Sequence, residues 1–308
     1  IGHLLVGFKY IGDALDQLER TGRFARTPAS LDQFVLGAEE SHGLLVTPKI
    51  RDKDAAGAAL MLAELASEEE SQGRTLVDTL HGLWGSVGYV RNDLLSTVMR
   101  GAEGRDRIQR IQASLRREPP TQIGGHVVTA FHDRRSEEGP FGPIVSETER
   151  ASRDVLVFEL GDDARVILRP SGTEPKNKVY IELASPPRDD GAPPSSAQIQ
   201  SVDQDCRRLG EQFVLEMLSR VDIELPSWAL RASEILSVEH KLELSQHIVP
   251  ELSRRLRSAG LAVEETRLWL HEALMPMGRD AVAMVRPALM AWAETEEPSS
   301  IGVLSELL

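Results

Sequence analysis

The 308-residue sequence contains a single cysteine, Cys206, and no uninterrupted apolar run that approaches the roughly 18–20 residues needed to span a bilayer. One cysteine excludes an intrachain disulfide and is typical of a reducing compartment, so we expect a cytoplasmic protein. Cys206 falls in a predicted amphipathic helix, where we expect a small buried side chain and not a reactive thiol. The first residues lack the basic region and apolar segment of a signal peptide. Neither membrane insertion nor export is therefore expected.

Positive charge is also scarce, because 35 Lys and Arg side chains stand against 48 Asp and Glu, for a net charge of −13. An acidic protein is not expected to bind nucleic acid or anionic membranes. An anionic ligand would have to be bound by a local concentration of positive charge. The length allows two or three domains, each with its own core.

One segment provides such a concentration. Apolar runs at 166–168 and 179–181 flank the sequence Arg169-Pro-Ser-Gly-Thr-Glu-Pro-Lys, which predicts a strand–loop–strand element. Its glycine permits close backbone approach, its hydroxyls can donate hydrogen bonds, and its arginine and lysines are cationic. These groups suit a phosphate dianion. The residues alone leave a second interpretation open, a surface hairpin with a Pro-Ser-Gly turn.

This loop resembles the phosphate-binding loop in the last domain of the α-D-phosphohexomutases, the phosphoglucomutase/phosphomannomutase family. Two further signatures lie upstream in the family order. The stretch Gly37-Ala-Glu-Glu-Ser-His-Gly43, followed by Arg51-Asp-Lys-Asp-Ala55, resembles the sugar-recognition loop of the third domain and the helix start that follows it. The stretch Gly7-Phe-Lys-Tyr-Ile-Gly12 resembles the opening of the same domain. The resemblance extends from residue 1 to about 220.

The resemblance implies two sets of binding residues. The sugar hydroxyls would be bound by Glu39 and Ser41, with Glu40 as the alternative carboxylate, and Lys53 and Lys9 would face the substrate. The non-transferring phosphate would be bound by Arg169, Ser171, Gly172 and Thr173, with Lys178 as an outer contact. A carboxylate can accept from two adjacent hydroxyls, and a serine can donate or accept. No metal site is expected in this chain.

The resemblance also implies a fold and an activity. We expect an α/β protein: a mixed-sheet α/β sugar-binding domain at 1–118, a small α+β phosphate-binding domain at 119–225 and an all-helical extension at 226–308. The family interconverts hexose 1-phosphates and hexose 6-phosphates through a phosphoserine enzyme and a bisphosphorylated sugar, here glucose 1,6-bisphosphate. Glucose phosphates are the expected substrates. A phosphoglucosamine mutase and a non-catalytic sugar-phosphate-binding module remain alternatives.

The family's phosphoserine loop and its magnesium-binding Asp-x-Asp-x-Asp-Arg triplet are absent from this sequence. We therefore expect this chain to be the C-terminal half of a longer enzyme, whose N-terminal domains would be its partners and would hold Mg²⁺ and the catalytic serine.

The helical pattern of 226–308 matches nothing in that family, and breaks are expected at Pro250, Gly260 and 276–278. The extension is expected to be a separable appendage. It would serve either as a packing module or as an element through which the chain forms a homo-oligomer.

Overall fold

The computed structural model of the chain describes residues 4–24, 27–39, 43–139, 142–144, 146–172, 174–258 and 263–308. The chain divides into two compact units, residues 1–88 with 187–194, and residues 89–186 with 195–308. The α/β class with a helical C-terminal extension, expected from the sequence, is confirmed. The predicted domain boundaries at 118 and 225 stay predictions.

The first unit combines helices with short antiparallel strand pairs. Its elements are α1 (Lys9–Thr21), β1 (Arg23–Phe24), β2 (Thr27–Pro28), β3 (Gly37–Glu39), β4 (Gly43–Leu45), α2 (Ala55–Ser71) and α3 (Leu76–Val87). Strand β1 pairs with β2, and β3 pairs with β4. Phe8, Leu15 and Leu45 form the buried apolar cluster that joins α1 to the β3–β4 hairpin.

Two sequence-based predictions for this unit are wrong. The short apolar run at 33–37 predicts a strand, but Leu31–Gln33 forms a 3₁₀ turn capped by Ser30, and β3 begins only at Gly37. The capping pair of Ser30 and Gln33 fixes that turn and explains the difference. The spacing of Leu76, Leu80, Leu83 and Trp84 predicts a buried face on α3, yet Leu80 and Leu83 are 42% and 54% exposed.

The Pro-, Gly- and Ser-rich stretch 185–196 predicts a flexible loop, but at Gly191 it lies against α3. A Cβ atom at Gly85 would overlap the carbonyl oxygen of Gly191. The absence of a side chain at Gly85 therefore allows the backbone of this loop to lie directly against the helix, which explains why 187–194 belongs to the first unit.

The second unit contains an antiparallel sheet with helices packed on its buried face. Its first elements are β5 (Tyr89–Val98), α4 (Gly101–Arg117), β6 (Gln122–Ile123), β7 (His126–Val127), β8 (Ala130–Asp133), α5 (Glu147–Ser152), β9 (Leu156–Glu159), β10 (Ala164–Pro170), β11 (Lys176–Ser185) and α6 (Ser196–Ser219). The five-stranded sheet has the order β5-β11-β10-β9-β8.

Alternate residues of β10 and β11 are buried, as expected for a sheet with one covered face. Leu168 and Val179 point into the core, whereas Arg169 and Lys178 lie on the opposite, partly exposed face. Helix α6 covers the buried face. A Cβ at Gly210 would come within 2.8 Å of both Ile181 and Leu95, so this glycine allows α6 to approach the sheet.

Strand β5 was not predicted from the sequence. It lies at one edge of the sheet and pairs over its whole length with β11. An edge strand buries little of its surface, and β5 carries polar residues at 91–93 on both faces. Its hydrophobic alternation is therefore too weak to mark it as a strand.

The extension continues with more helices: α7 (Val238–Glu243), α8 (Val249–Leu256), α9 (Val263–Leu274), α10 (Ala281–Glu296) and α11 (Ile301–Leu307). The break expected at Pro250 does not occur. A π-helical turn, Leu244–Ile248, joins α7 to α8, and the Val249 N–H bonds to the Leu244 carbonyl. Because proline has no N–H to donate, this wider turn lets the helix pass through it.

The extension is not a separate body. One cluster of buried apolar residues runs from Met99 in the sheet domain to Leu307 in α11, and the extension lies in the same compact unit as the sheet. Salt bridges also cross between them, from Arg231 to Glu211 and from Arg107 to Glu239. The expectation of a separable appendage is therefore wrong, because removing the extension would expose the shared core.

Candidate functional site: a hairpin carboxylate and a cationic strand pair

The proposed sugar-binding residues are arranged by the β3–β4 hairpin and the start of α2. The N–H of Asp54 donates to the carbonyl of Leu44 in β4 at 2.8 Å, which fixes the segment before the helix against the hairpin. The Asp54 carboxylate then caps α2 by accepting from the N–H groups of Ala56 and Gly57 at 3.1 Å. Lys53, directly before this cap, is thereby placed beside the hairpin.

Glu39 and Lys53 converge over Gly43. Glu39 and Gly43 are register partners in the hairpin. A Cβ at Gly43 would lie 2.8 Å from Glu39 Cγ and 2.9 Å from Lys53 Cδ, so both side chains pass over the space that this glycine leaves. Among the described residues, nothing bonds to the buried Oε2 atom of Glu39. A buried carboxylate oxygen without a donor suits a ligand hydroxyl.

Lys53 is held in a cationic state by its neighbours. Its ammonium donates to Asp52 at 2.8 Å and lies 5.1 Å from the centre of the Phe8 ring. The hydrogen bond that Lys53 donates to Asp52, followed by the charges of Asp52 and Glu39, raises the pKa of Lys53. The structure therefore brings Lys53 to Glu39 as expected, with Asp52 as a partner that the sequence did not indicate.

Lys9, another of the proposed sugar-binding residues, is not joined to this point. Lys9 is exposed, with its ammonium over the ring of Tyr10, and no hydrogen bond or ion pair joins it to Glu39 or Lys53 in the described residues. Glu40 and Ser41 lie outside the described residues, as does Thr173 of the phosphate loop.

The proposed phosphate-binding residues lie where three strands meet. Arg169 in β10 is directly opposite Lys178 in β11, and Lys178 is directly opposite Ser96 in β5. Residues opposite each other in antiparallel strands have side chains on the same face. The guanidinium of Arg169 and the ammonium of Lys178 therefore form a cationic pair on the partly exposed face.

The cationic pair has no carboxylate partner within ion-pair distance among the residues that the structure describes. This contrasts with Arg165, four residues earlier on the same face of β10, which pairs with Glu182 across the strands. Like charges directly opposite each other destabilise a strand pair. An anion bound between Arg169 and Lys178 would relieve that repulsion.

The loop between β10 and β11 is closed by its own backbone. The Ser171 N–H donates to the Lys176 carbonyl at 2.8 Å, and the Lys176 N–H donates to the Glu174 carbonyl at 2.8 Å. Glu174 forms an ion pair with Lys176, whose hydrogen bond lowers the pKa of that carboxyl. Gly172 is exposed at the tip, and Ser171 beside it is partly exposed. The loop therefore presents a glycine backbone and a hydroxyl next to the cationic pair.

Sequence reasoning missed residues that border this loop from elsewhere in the chain. The carboxylate of Glu234, in the extension, accepts from the Ser96 N–H at 2.9 Å. The Met99 N–H, at the end of β5, donates to the Pro175 carbonyl at 2.9 Å. These contacts join distant segments, so no local pattern could have indicated them.

Other features bear on cofactors and reactivity. Within the described residues, no group of three or more His, Cys, Asp and Glu side chains could hold a metal ion, so this part of the chain does not fit Mg²⁺. No helix of the described chain has the length and apolar character to cross a membrane. Cys206 is buried, as expected, and burial raises the pKa of its thiol to about 12.

Two family sequence models match the parts of the chain that contain the proposed sugar-binding and phosphate-binding residues. Residues 3–86 match the sequence model of phosphoglucomutase/phosphomannomutase, alpha/beta/alpha domain III, and residues 137–190 match that of the C-terminal domain. Phosphoglucomutases from Staphylococcus aureus strains N315 and MRSA252 are 34% and 33% identical over 199 residues, which are 64% of this chain and 34% of each relative.

A solved structure, the exocytosis-sensitive phosphoprotein pp63/parafusin from Paramecium in its open form, aligns with 70% of this chain and 34% of its own. Its TM-score is 0.41 and its identity is 15%. The chain spans about a third of the length of the curated relatives it matches. The two domain matches and the phosphoglucomutase relatives place residues 3–86 and 137–190 as the third and C-terminal domains of the α-D-phosphohexomutase superfamily, to which this chain belongs.

Proposed function

We propose that the chain is the substrate-binding part of a phosphohexomutase that interconverts hexose 1-phosphates and hexose 6-phosphates in the cytoplasm, with glucose phosphates as substrates. The reaction would pass through a phosphoserine enzyme and glucose 1,6-bisphosphate. The serine and Mg²⁺ would be supplied by the family's N-terminal domains, which would be the partners of this part.

The observation that carries the proposal is the cationic pair, Arg169 and Lys178, placed opposite each other without a carboxylate partner in the described chain. The guanidinium offers paired N–H donors and the ammonium adds a point charge, which together suit a phosphate dianion. The Ser171 hydroxyl and the exposed backbone at Gly172 add donors that carry no charge.

The sugar would be bound by a different part of the chain. Two adjacent hydroxyls can donate to the Glu39 carboxylate, whose Oε2 atom has no donor among the described residues. Lys53 places a positive charge near that carboxylate. Fixing the sugar hydroxyls and the phosphate is a positioning role, and positioning accounts for much of phosphoryl-transfer catalysis.

A second candidate is a non-catalytic sugar-phosphate-binding module. Nothing in these residues excludes it, because the family's phosphoserine loop and aspartate triplet do not occur in this sequence. Both candidates require the same binding residues and differ only in turnover. A phosphoglucosamine mutase would instead differ in the sugar that it prefers.

The test is to titrate the 308-residue chain with inorganic phosphate and with the 6-phosphates of glucose, mannose and glucosamine, and to assay glucose 1-phosphate turnover with Mg²⁺ present. We expect glucose 6-phosphate to bind more tightly than inorganic phosphate and the other two sugars, without turnover by this chain alone. Failure of every hexose phosphate to bind better than inorganic phosphate would contradict the proposal.

A further inference from the structure

The extension contacts the phosphate loop through the edge of the sheet. Strand β5 has no neighbouring strand on its outer side. The backbone N–H of Ser96 instead donates to the carboxylate of Glu234 at 2.9 Å, and Glu234 is partly buried. The extension therefore supplies the hydrogen-bond acceptor that a further strand would otherwise provide.

Ser96 is linked to the cationic pair through the register of the strands. It lies opposite Lys178, which lies opposite Arg169, and two residues further along β5 Val98 lies opposite Lys176. The Met99 N–H then bonds to the Pro175 carbonyl of the loop itself. The end of β5 therefore contacts the half of the phosphate loop that leads into β11, at Pro175 and Lys176.

The same three segments surround a hollow of about 500 Å³. Ser96 and Val98 of β5 form one wall, residues 174–176 of the loop form the second, and Glu234 and Ile235 of the extension form the third. Ile235 is 73% exposed. The turn that carries Glu234 therefore borders the loop as well as the strand behind it.

This turn is fixed within the extension. The buried ammonium of Lys241 donates to the Ala232 carbonyl at 3.1 Å, and the Ser233 N–H donates to the Met284 carbonyl of α10 at 2.9 Å. The backbone just before Glu234 is thus held in place from two sides, so little further ordering of this turn is needed for Glu234 to bind Ser96.

We propose that Glu234 is a positioning residue for the phosphate-binding loop, acting through the backbone of Ser96 and the register that links Ser96 to Lys178 and Arg169. The inference rests on the proposed function of that loop. It assigns the extension a role in the site, although residues after 190 lie outside both family matches.

Replacing Glu234 distinguishes a charge effect from a positioning role, because the two predict opposite changes in phosphate affinity. A carboxylate near a phosphate site repels the ligand, so a residue that acted only through its charge would weaken phosphate binding, and its removal would strengthen binding. A residue that positions the loop instead strengthens phosphate binding, and its removal weakens binding. Glutamine keeps an oxygen that can accept from the Ser96 N–H, whereas alanine does not.

The experiment is titration of the 308-residue chain and its Glu234→Ala and Glu234→Gln variants with inorganic phosphate. We expect alanine to weaken binding roughly three- to tenfold, the range of one net hydrogen bond, and glutamine to bind at least as tightly as the native chain. Glu243→Ala, an exposed glutamate in the same extension, is the matched control and should change nothing. Equal or tighter binding by Glu234→Ala would overturn the proposal.

Amide hydrogen exchange in the absence of ligand separates this inference from the proposed function. Loss of protection at Ser96 and Met99 in Glu234→Ala, with the native midpoint of thermal unfolding retained, is expected. Unchanged exchange at both amides would overturn the positioning role. If Arg169→Ala leaves phosphate affinity unchanged in the native background, the loop assignment fails, whatever Glu234 does.

Discussion

Arg169 and Lys178 face each other across the β10–β11 ladder, two cations at directly opposed positions of an antiparallel pair. At the next position of the ladder, one residue away, Leu168 and Val179 make a pair on the buried face, so the strands are aligned by their core residues. The cations are therefore held together by packing that does not depend on them. Binding of an anion recovers the free energy that their repulsion costs.

Lys178→Gln should reveal how much this repulsion destabilises the folded chain. Without ligand, removal of one like charge should raise the free energy of unfolding by about 0.2–1 kcal/mol, the usual size of a cross-strand pair. The gain should shrink at high salt, because exposed charges are screened. Chemical denaturation at low and high salt measures both effects.

Phosphate affinity of the Lys178→Gln variant should fall at the same time. Lys49→Gln, at an exposed position of the first unit, is the control and should alter neither quantity. A variant that is less stable than the native chain at low salt would contradict the proposed repulsion.

Glu39→Gln should weaken glucose 6-phosphate binding while leaving inorganic phosphate binding nearly unchanged. The substitution keeps the shape but replaces an acceptor-only carboxylate with an amide, which can no longer accept two hydroxyls in the same way. The loss should be about 1.5–3 kcal/mol, the range for hydrogen bonds to a charged group. Titration calorimetry with both ligands measures it.

The control for that substitution is Glu64→Gln, on the exposed surface of α2. Equal weakening of both ligands by Glu39→Gln would point to a disturbed fold, and no weakening would transfer the role to Glu40.

Lys241 should make stability depend on pH above neutrality. Burial lowers the pKa of its ammonium from 10.5 to about 8, against the opposing charge of Glu234. Between these two values the unfolded chain binds more protons than the folded chain. The free energy of unfolding therefore rises as the pH increases from about 8 to 10.5, and this gain is absent below about 8. The full amplitude is about 3 kcal/mol.

To isolate this effect, the free energy of unfolding by denaturant is measured for the native chain and for Lys241→Met at several pH values from about 7 to 10. Other groups titrate in both proteins and cancel in the difference. The native chain should gain stability relative to the variant as pH rises. A difference that stays flat would mean that Lys241 keeps its ordinary pKa.

The sequence predicted much of this fold because most elements carry strong local patterns. The pattern of residues 197–221 predicts a helix, and α6 occupies Ser196–Ser219. The strands on either side of the phosphate loop lie where the apolar runs indicated. Strand β5 was missed because an edge strand shows weak alternation. The separable extension was a wrong expectation, because helical periodicity shows which face is apolar but not what covers it.

The site was predictable only in part, for a related reason. The candidate residues Glu39, Lys53, Arg169 and Lys178 were found by resemblance, and the structure brings Glu39 to Lys53 and Arg169 to Lys178. That Arg169 and Lys178 form no ion pair with a carboxylate of the described residues could not be seen in the sequence, where Glu174 and Glu182 are near neighbours. Strand register decides that Glu182 pairs with Arg165 and leaves Arg169 to Lys178.

The most direct measurement is calorimetric titration of inorganic phosphate into the native chain, Arg169→Ala and the control Arg208→Ala, in which an exposed arginine of α6 is removed. Loss of charge-assisted hydrogen bonds worth about 1.5–3 kcal/mol should weaken binding by Arg169→Ala roughly tenfold or more. The control should bind as the native chain does. Unchanged phosphate affinity in a folded Arg169→Ala protein would contradict the assignment of this loop as the phosphate site.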